Sequence, residues 1–199
     1  STWATNTVTG ISTGLTSLSA LTQYEAQVRS KCSGGANSGY SSSVNFTTTD
    51  VQLNYCNSAS TNTNDEYISR VQLNTIDNTS GPQVYSDFTS VSTTVTKGSQ
   101  YIVTITPTWT GTVYSEGYSV WIDYNRDGDF NDAGEQVFTQ APTQTTPVSG
   151  SFIVPSGATE ASTRMRVTLS YNANVGPCDS FTYGEVEDYT IIIEGSGPD

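Results

Sequence analysis

The sequence contains no histidine, and this absence removes several kinds of chemistry at once. Without an imidazole there can be no Ser–His or Cys–His nucleophile pair and no zinc or iron site with His ligands. Because these are the commonest routes to acid–base and metal catalysis, we expect a protein that is not an enzyme.

Positive charge and long apolar runs are also scarce. Lys and Arg number 7 against 19 Asp and Glu, which gives a formal net charge of −12. A surface of this charge repels phosphate groups, so we expect no nucleic-acid partner. Even the run Ile191–Ile193 has only the length of a strand segment. The sequence therefore predicts no membrane-spanning helix, no signal peptide and no direct membrane insertion.

The residues that are present favour strands. Charged residues make up 13% of the chain and aromatic residues 11%, while Val, Ile, Thr, Tyr and Phe recur between turns rich in Gly, Pro, Asn and Asp. This composition is typical of an all-β protein, and the spacing predicts a β-sandwich of the jelly-roll or Ig-like kind. The predicted strands lie near Tyr67–Leu73, Val91–Val95, Gln100–Thr106, Tyr118–Tyr124, Glu135–Thr139, Val148–Val154, Thr163–Tyr171 and Val186–Ile193.

The pattern changes along the chain and predicts three parts. Residues 1–49 carry two short alternating segments around Tyr24 and Phe46, separated by a glycine turn, and we expect two antiparallel strands there. Tyr24 stands where a tyrosine corner would begin a strand. Residues 55–194 form the longer β-rich part, and residues 195–199 are typical of a polar linker.

The strongest local signal is an acidic loop of the form D-x-N-x-D-G. Side-chain oxygens at alternate positions, with a glycine at the sharp turn, are how a short loop surrounds calcium. The predicted metal ligands are Asp123, Asn125, Asp127, Asp129 and Glu135. Glu135 is thirteenth, where an EF-hand has its closing acid twelfth, so we expect an EF-hand-like loop between strands. The alternative is a solvated hairpin loop, against which the mutual repulsion of its carboxylates argues.

A second signal is a pair of carboxylates two residues apart. Glu185 and Glu187 fall on one face of a predicted strand, and Arg164 and Arg166 have the same spacing on another. Paired carboxylates are also the acid–base machinery of glycosidases. Because the arginines supply matching charges, we expect structural ion pairs between the two strands.

Aromatic residues offer a candidate ligand surface. Trp109, Tyr114 and Tyr118 lie in or near a Thr- and Gly-rich segment, where exposed rings would stack on the faces of sugars. The alternative is that these rings pack the sandwich.

Several separated motifs resemble the GEVED domain. They are Gly184–Asp188, Trp121–Phe130, Ala133–Glu135, Arg164–Val167, Ile76–Gly81 and Tyr85–Phe88. The resemblance implies a β-sandwich module of secreted bacterial multidomain proteins, where it accompanies fibronectin type III modules, peptidases, glycan-degrading enzymes or adhesins, and so an accessory role. It also implies a disulfide between Cys56 and Cys178. Cys32 is then left over. It is free, it pairs with Cys56, or its partner belongs to strands that this sequence does not include.

The first part resembles the last strands of a fibronectin type III module. The matching segments are Leu15–Tyr24, Val28–Ser30 and Ser42–Thr48. Because the opening strands of such a module are absent, half of a sandwich would leave an edge and a core uncovered. Two explanations stay open: a boundary inside a larger protein, or completion by strands of a neighbouring chain in a head-to-tail assembly.

These observations leave three function classes. The first is a non-catalytic, calcium-stabilised extracellular or cell-surface module that attaches to glycan or extracellular matrix. The second is a subunit of an extracellular fibre whose partners are neighbouring copies of itself. The third is an acid–base enzyme that uses Glu185 and Glu187. We expect the first.

Overall fold

The computed structural model describes residues 3–20 and 22–197. Leu21 of the N-terminal motif and residues 198–199 of the predicted linker lie outside them. The chain divides into two compact units, Ser1–Gln52 and Leu53–Asp199, called here the first and second unit. The assignment of domains to residues 1–49, 55–194 and 195–199 stays a prediction.

The first unit contains a two-stranded antiparallel sheet. Strand β1 is Gln23–Ala26 and β2 is Val44–Thr47. Tyr24 lies opposite Phe46, with ring centroids 5.8 Å apart, and the Tyr24 hydroxyl accepts a hydrogen bond from the Ser19 N–H at 2.8 Å. Among its described residues this unit has no buried side chain. Its apolar residues are therefore largely exposed.

The second unit is all-β. Its strands are β3 Glu66–Leu73, β4 Ile76–Thr79, β5 Tyr85–Thr96, β6 Gln100–Trp109, β7 Glu116–Ile122, β8 Gln136–Thr143, β9 Val148–Ile153, β10 Ser162–Tyr171 and β11 Gly184–Glu194. They form a five-stranded sheet in the order β5-β11-β10-β7-β8 and a four-stranded sheet in the order β4-β3-β6-β9. Strands β5 and β11 are parallel, and the other pairs are antiparallel.

The core lies between these two sheets. On β3, Ile68, Val71 and Leu73 are buried and their neighbours are not. The pairing of β3 with β6 is irregular between Ile68 and Arg70, and this extra residue lets Val71 and Leu73 face the core as Ile68 does. Strand β7 has neighbours on both sides and is buried along its whole length. Side chains from both sheets form one hydrophobic cluster, which is what stabilises two-layer β-domains.

The predicted fold class is confirmed, with two differences in detail. Each of the eight predicted strands of the second unit occurs, but β5 begins at Tyr85 rather than near Val91, and β4 was not predicted. Strand β4 is short and carries Asp77 and Asn78 at the edge of its sheet, so its sequence lacks the apolar alternation that identifies a strand. No helix among the described residues is both long and apolar enough to cross a membrane.

A disulfide joins the segment before β3 to the loop between β10 and β11. Cys56 is bonded to Cys178, 122 residues further on, and this is the pair that the GEVED resemblance implies. A cross-link closing a loop of this length contributes about 4–5 kcal/mol in the chain-entropy model. Cys32 is an exposed free cysteine.

Candidate functional site

The acidic loop begins where β7 ends, and its first carboxylate is directed inward. Asp123 is fully buried. Its carboxylate accepts hydrogen bonds from the Arg126 N–H at 2.6 Å, the Gly128 N–H at 3.2 Å and the Tyr55 hydroxyl at 2.7 Å. Gly128 has φ of 91°, and a Cβ there would lie 3.3 Å from the Asn54 backbone, so glycine is required at this turn.

The last carboxylate of the loop, like the first, is buried and accepts hydrogen bonds from backbone N–H groups of the loop. Glu135 is buried, and it accepts hydrogen bonds from the Tyr124 N–H at 2.9 Å and the Asp132 N–H at 3.3 Å. Burial raises the pKa of Glu135, while these backbone donors oppose the shift. Asp123 and Glu135 therefore fix the two ends of the loop through its own backbone.

Between these ends, three aspartates come together. Carboxylate oxygens of Asp127, Asp129 and Asp132 lie within 4.8 Å of one another and could hold a metal ion. Asn125 borders this triad, since its side-chain amide donates to Asp132 at 2.7 Å and to Asp127 at 3.0 Å. Asp132 was absent from the predicted ligands because it falls between the template positions. The feature of the sequence that could have identified it is its acidic side chain in the second half of the loop. The full ligand set stays a prediction.

Two stacked rings connect the loop to the neighbouring arginines. Phe130 in the loop stacks on Tyr55, with ring centroids 5.1 Å apart. The Arg164 guanidinium lies 4.5 Å from the Tyr55 ring centroid, and that of Arg166 lies 5.3 Å from the Phe130 centroid. These distances are within the range of cation–π attraction.

The arginines pair with Asp188, which corrects the predicted pairing with Glu185 and Glu187. Arg166 donates two hydrogen bonds to Asp188, each at 2.8 Å, and Arg164 donates one at 3.3 Å. The reason is register: Arg166 lies opposite Asp188, whereas Glu187 lies opposite Val167. Successive residues point to opposite faces of a sheet, so the glutamates lie on the core side and the arginines on the outer side.

Glu185 and Glu187 are fully buried and bonded to neutral donors. The Ile68 N–H and the Ser86 hydroxyl donate to Glu185 at 3.0 and 3.1 Å. The Tyr189 hydroxyl donates to Glu187 at 2.7 Å. The pair thus links both sheets inside the sandwich.

Steric crowding explains why the Gly184–Asp188 motif begins with glycine. Gly184 has φ of 123°, and a Cβ there would lie 2.0 Å from the Leu169 carbonyl oxygen. Any larger residue would force β11 away from β10. The motif therefore combines a close backbone approach, two inward carboxyl groups and one outward ion pair.

Burial changes the acidity of both glutamates. Burial, and then the charge of Glu187, raise the pKa of Glu185 to about 8, and burial raises the pKa of Glu187 to about 7. The Ser80 hydroxyl lies 2.8 Å from the Ile68 carbonyl and 2.7 Å from Glu187. With one proton it can donate to only one of these acceptors, which favours a protonated Glu187 carboxyl donating to it.

The predicted aromatic surface is partly wrong. Tyr118 lies on β7 and is completely buried, because its side chain is on the face of the sheet that packs into the core. Trp109 is half-buried, and its indole N–H donates to Glu116 at 3.2 Å. Tyr114 instead begins a chain of ring contacts with two tyrosines that the sequence did not single out. Its ring contacts Tyr171 edge-on at 5.5 Å, and Tyr171 contacts Tyr183 at 6.0 Å.

Comparison with protein families bears on this arrangement. Residues 117–192 match the family model of the GEVED domain. The GEVED match includes most of β7, the acidic loop, the arginines and the Gly184–Asp188 motif. It leaves out the first unit, for which the fibronectin type III resemblance stays a prediction. No curated protein matches the chain.

The buried glutamates make stability depend on pH. A carboxyl group with a raised pKa in the folded state holds a proton that the unfolded chain has released, so stability falls as the pH rises between the two values. Without calcium, we expect the free energy of unfolding to fall from pH 5 to pH 8 by up to about 1 kcal/mol per pH unit for each group.

Urea unfolding at each pH measures this dependence. Glu185→Gln should make it shallower, because one of the titrating groups is removed, whereas Glu194→Gln, an exposed site on the same strand, should leave it unchanged. Equal slopes for the parent protein and Glu185→Gln would contradict the interpretation.

Proposed function

We propose that the chain is a non-catalytic, calcium-stabilised module of an extracellular protein and that it attaches to glycans. The observation that carries the attachment is the row of tyrosines formed by Tyr114, Tyr171 and Tyr183, called here the tyrosine row. Tyr171 and Tyr183 remain 44% and 40% exposed although their rings touch. Rigid rings at the surface present apolar faces that match the C–H faces of sugars, and their hydroxyl groups can bond to sugar hydroxyls.

The absence of catalysis is supported by the burial of the paired glutamates. Glu185 and Glu187 are 0% exposed, and hydrogen bonds within the chain occupy both carboxyl groups. A glycosidase pair needs both carboxyl groups at a substrate cleft. These two lie inside the sandwich and serve its packing.

The extracellular setting is supported by two observations. Disulfides form and persist in oxidising compartments, and Cys56 is bonded to Cys178. The match to the GEVED family model favours the same setting, because the resemblance to this domain implies a module of a secreted protein.

Calcium is the ion that best suits the acidic loop. The donors of the aspartate triad are carboxylate oxygens, which hard cations prefer. Asp127, Asp129 and Asp132 repel one another at their separation, and a divalent cation removes that repulsion. Because the loop ends are fixed by Asp123 and Glu135, the ion would stabilise a structure that is largely formed already.

Substitutions in the tyrosine row test the attachment. Tyr171→Ala and Tyr183→Ala should each weaken retention on the bound polysaccharide about tenfold, since each removes a ring worth about 1.4 kcal/mol of contact. Pull-down on insoluble cellulose and chitin, together with a glycan array, is the measurement. Tyr40→Ala is the control, because Tyr40 is 56% exposed and lies in the first unit. Retention on none of these glycans, or equal retention by all variants, would contradict the proposal.

Removal of calcium tests the loop. Millimolar calcium should raise the free energy of unfolding by about 2–4 kcal/mol relative to chelator, as expected when the ion is 100-fold or more above its dissociation constant. The variant Asp127→Asn with Asp129→Asn should respond less, and Asp77→Asn, an exposed site outside the loop, should respond like the parent protein. The readout is thermal and urea unfolding. An identical calcium response in parent and loop variant would refute the loop site.

A second candidate function is that of a fibre subunit, and the first unit favours it. Val28 and Val44 are 73% and 63% exposed, and the hydroxyl bond of Tyr24 to Ser19 suits a fibronectin type III-like corner. We propose that strands from outside this unit cover it. If a neighbouring chain supplies them, light scattering will show a mass that rises with concentration above the 21.3 kDa of one chain. A constant mass of one chain would remove this candidate.

A further inference from the structure

Two further glutamates are buried in the second unit and have no counter-charge. Glu66 begins β3 and Glu116 begins β7, and they are 2% and 0% exposed. No ion pair of the described residues involves either of them. Carboxylates are rarely buried in this way, because burial removes their hydration without replacing it.

Trp109 brings the two carboxyl groups into one neighbourhood. Glu66 lies opposite Trp109 in the antiparallel register of β3 and β6, so their side chains share a face of the sheet. The Trp109 indole N–H donates to Glu116 Oε1 at 3.2 Å. Burial, and then the charges of Glu116 and Asp65, raise the pKa of Glu66 to about 7. Both carboxyl groups therefore lie beside the same tryptophan.

Two buried oxygens at this place lack a hydrogen-bond partner within the described part of the chain. They are Glu116 Oε2 and the Tyr118 hydroxyl. The two residues are two positions apart on β7, so their side chains leave the strand on the same face. Burial, and then the charge of Glu116, raise the pKa of Tyr118. Unpartnered buried oxygens are uncommon and require a water, a proton or an ion as a partner.

We infer that Glu66, Glu116 and the Tyr118 hydroxyl form a second cation site, which takes a hard divalent ion such as Ca²⁺. The donors are all oxygen atoms, as such ions require. The ion supplies the counter-charge that the two carboxylates lack and a partner for both unpaired oxygens. Glu116 also lies opposite Tyr171 on β10, so the ion would stabilise the strand end that carries the tyrosine row.

The second cation site is distinct from the acidic loop. Glu116 is the first residue of β7, and the loop follows its last residue, Ile122. Six residue steps at about 3.3 Å separate the two places by roughly 20 Å. An ion at one place therefore shares no ligand with an ion at the other, and substitutions can remove either one alone.

A shared proton is the competing explanation for the buried pair. A proton held between Glu66 and Glu116 would also relieve their repulsion, but it is released as the pH rises. A metal ion binds more tightly under the same conditions, because its ligands are then fully ionised. Measurements at pH 8 and above separate the two explanations.

The test uses the whole chain with its acidic loop disabled by Asp127→Asn and Asp129→Asn. Isothermal titration at pH 8 should show one remaining Ca²⁺ equivalent, and adding Glu66→Gln or Glu116→Gln should weaken it at least tenfold. Glu160→Gln, at an exposed site paired with Lys97, is the matched control and should leave the binding unchanged. Tb³⁺ should bind with luminescence excited through Trp109, and Trp109→Phe should reduce that signal.

Folding and binding can be separated in the same experiment. In chelator, the Gln variants should unfold at the parent's temperature or above it, since the substitution removes repulsion. Only proteins with both glutamates should gain stability when Ca²⁺ is added. Absence of Ca²⁺ binding in the loop-disabled protein at pH 8, or binding that is indifferent to Glu66→Gln and Glu116→Gln, would overturn the site in favour of the shared proton.

Discussion

The ion pair between Arg166 and Asp188 is the interaction on which the second unit depends most. Their side chains are 2% and 0% exposed, and two parallel hydrogen bonds join them. Loss of one partner would leave a buried charge unpaired, which costs about 3–5 kcal/mol. Arg166 also donates to the backbone carbonyls of Cys56 and Pro177, at 2.9 and 2.6 Å. The disulfide is therefore anchored to the same guanidinium.

The acidic loop depends on this ion pair through the stacked rings. Arg166 lies over Phe130, which stacks on Tyr55, and the Tyr55 hydroxyl donates to Asp123. Cation, rings and carboxylate thus form a continuous connection from β10 to the first residue of the loop. Tyr55 and Cys56 precede the residues that match the GEVED model, so the matched region receives part of its packing from the segment that comes before β3.

The sequence predicted what depends on local pattern and missed what depends on register. Alternation located the strands, and the D-x-N-x-D-G spacing located a loop whose aspartates do cluster. It did not predict that Asp188, rather than Glu185 or Glu187, faces Arg166, because that choice depends on which residues of β10 and β11 lie opposite one another. Of the tyrosine row, only Tyr114 was predicted, for the same reason. Tyr171 and Tyr183 are twelve positions apart in sequence and meet only where β10 ends and β11 begins.

The acid excess of the chain is not confined to its surface, as the net charge alone would suggest, because many acidic side chains are buried. Of the described acidic residues, seven are buried: Glu66, Glu116, Asp123, Glu135, Glu185, Glu187 and Asp188. Buried basic side chains in the same residues are Arg126 and Arg166. Interior negative charge in this proportion has to be neutralised by protons, backbone amides or cations. Backbone amides serve Asp123, and the raised pKa of Glu187 favours a proton there, whereas Glu66 and Glu116 are the pair for which we propose a cation. Buried acidic side chains in this protein therefore help to hold its strands together, in addition to the negative charge that acidic residues give to the surface.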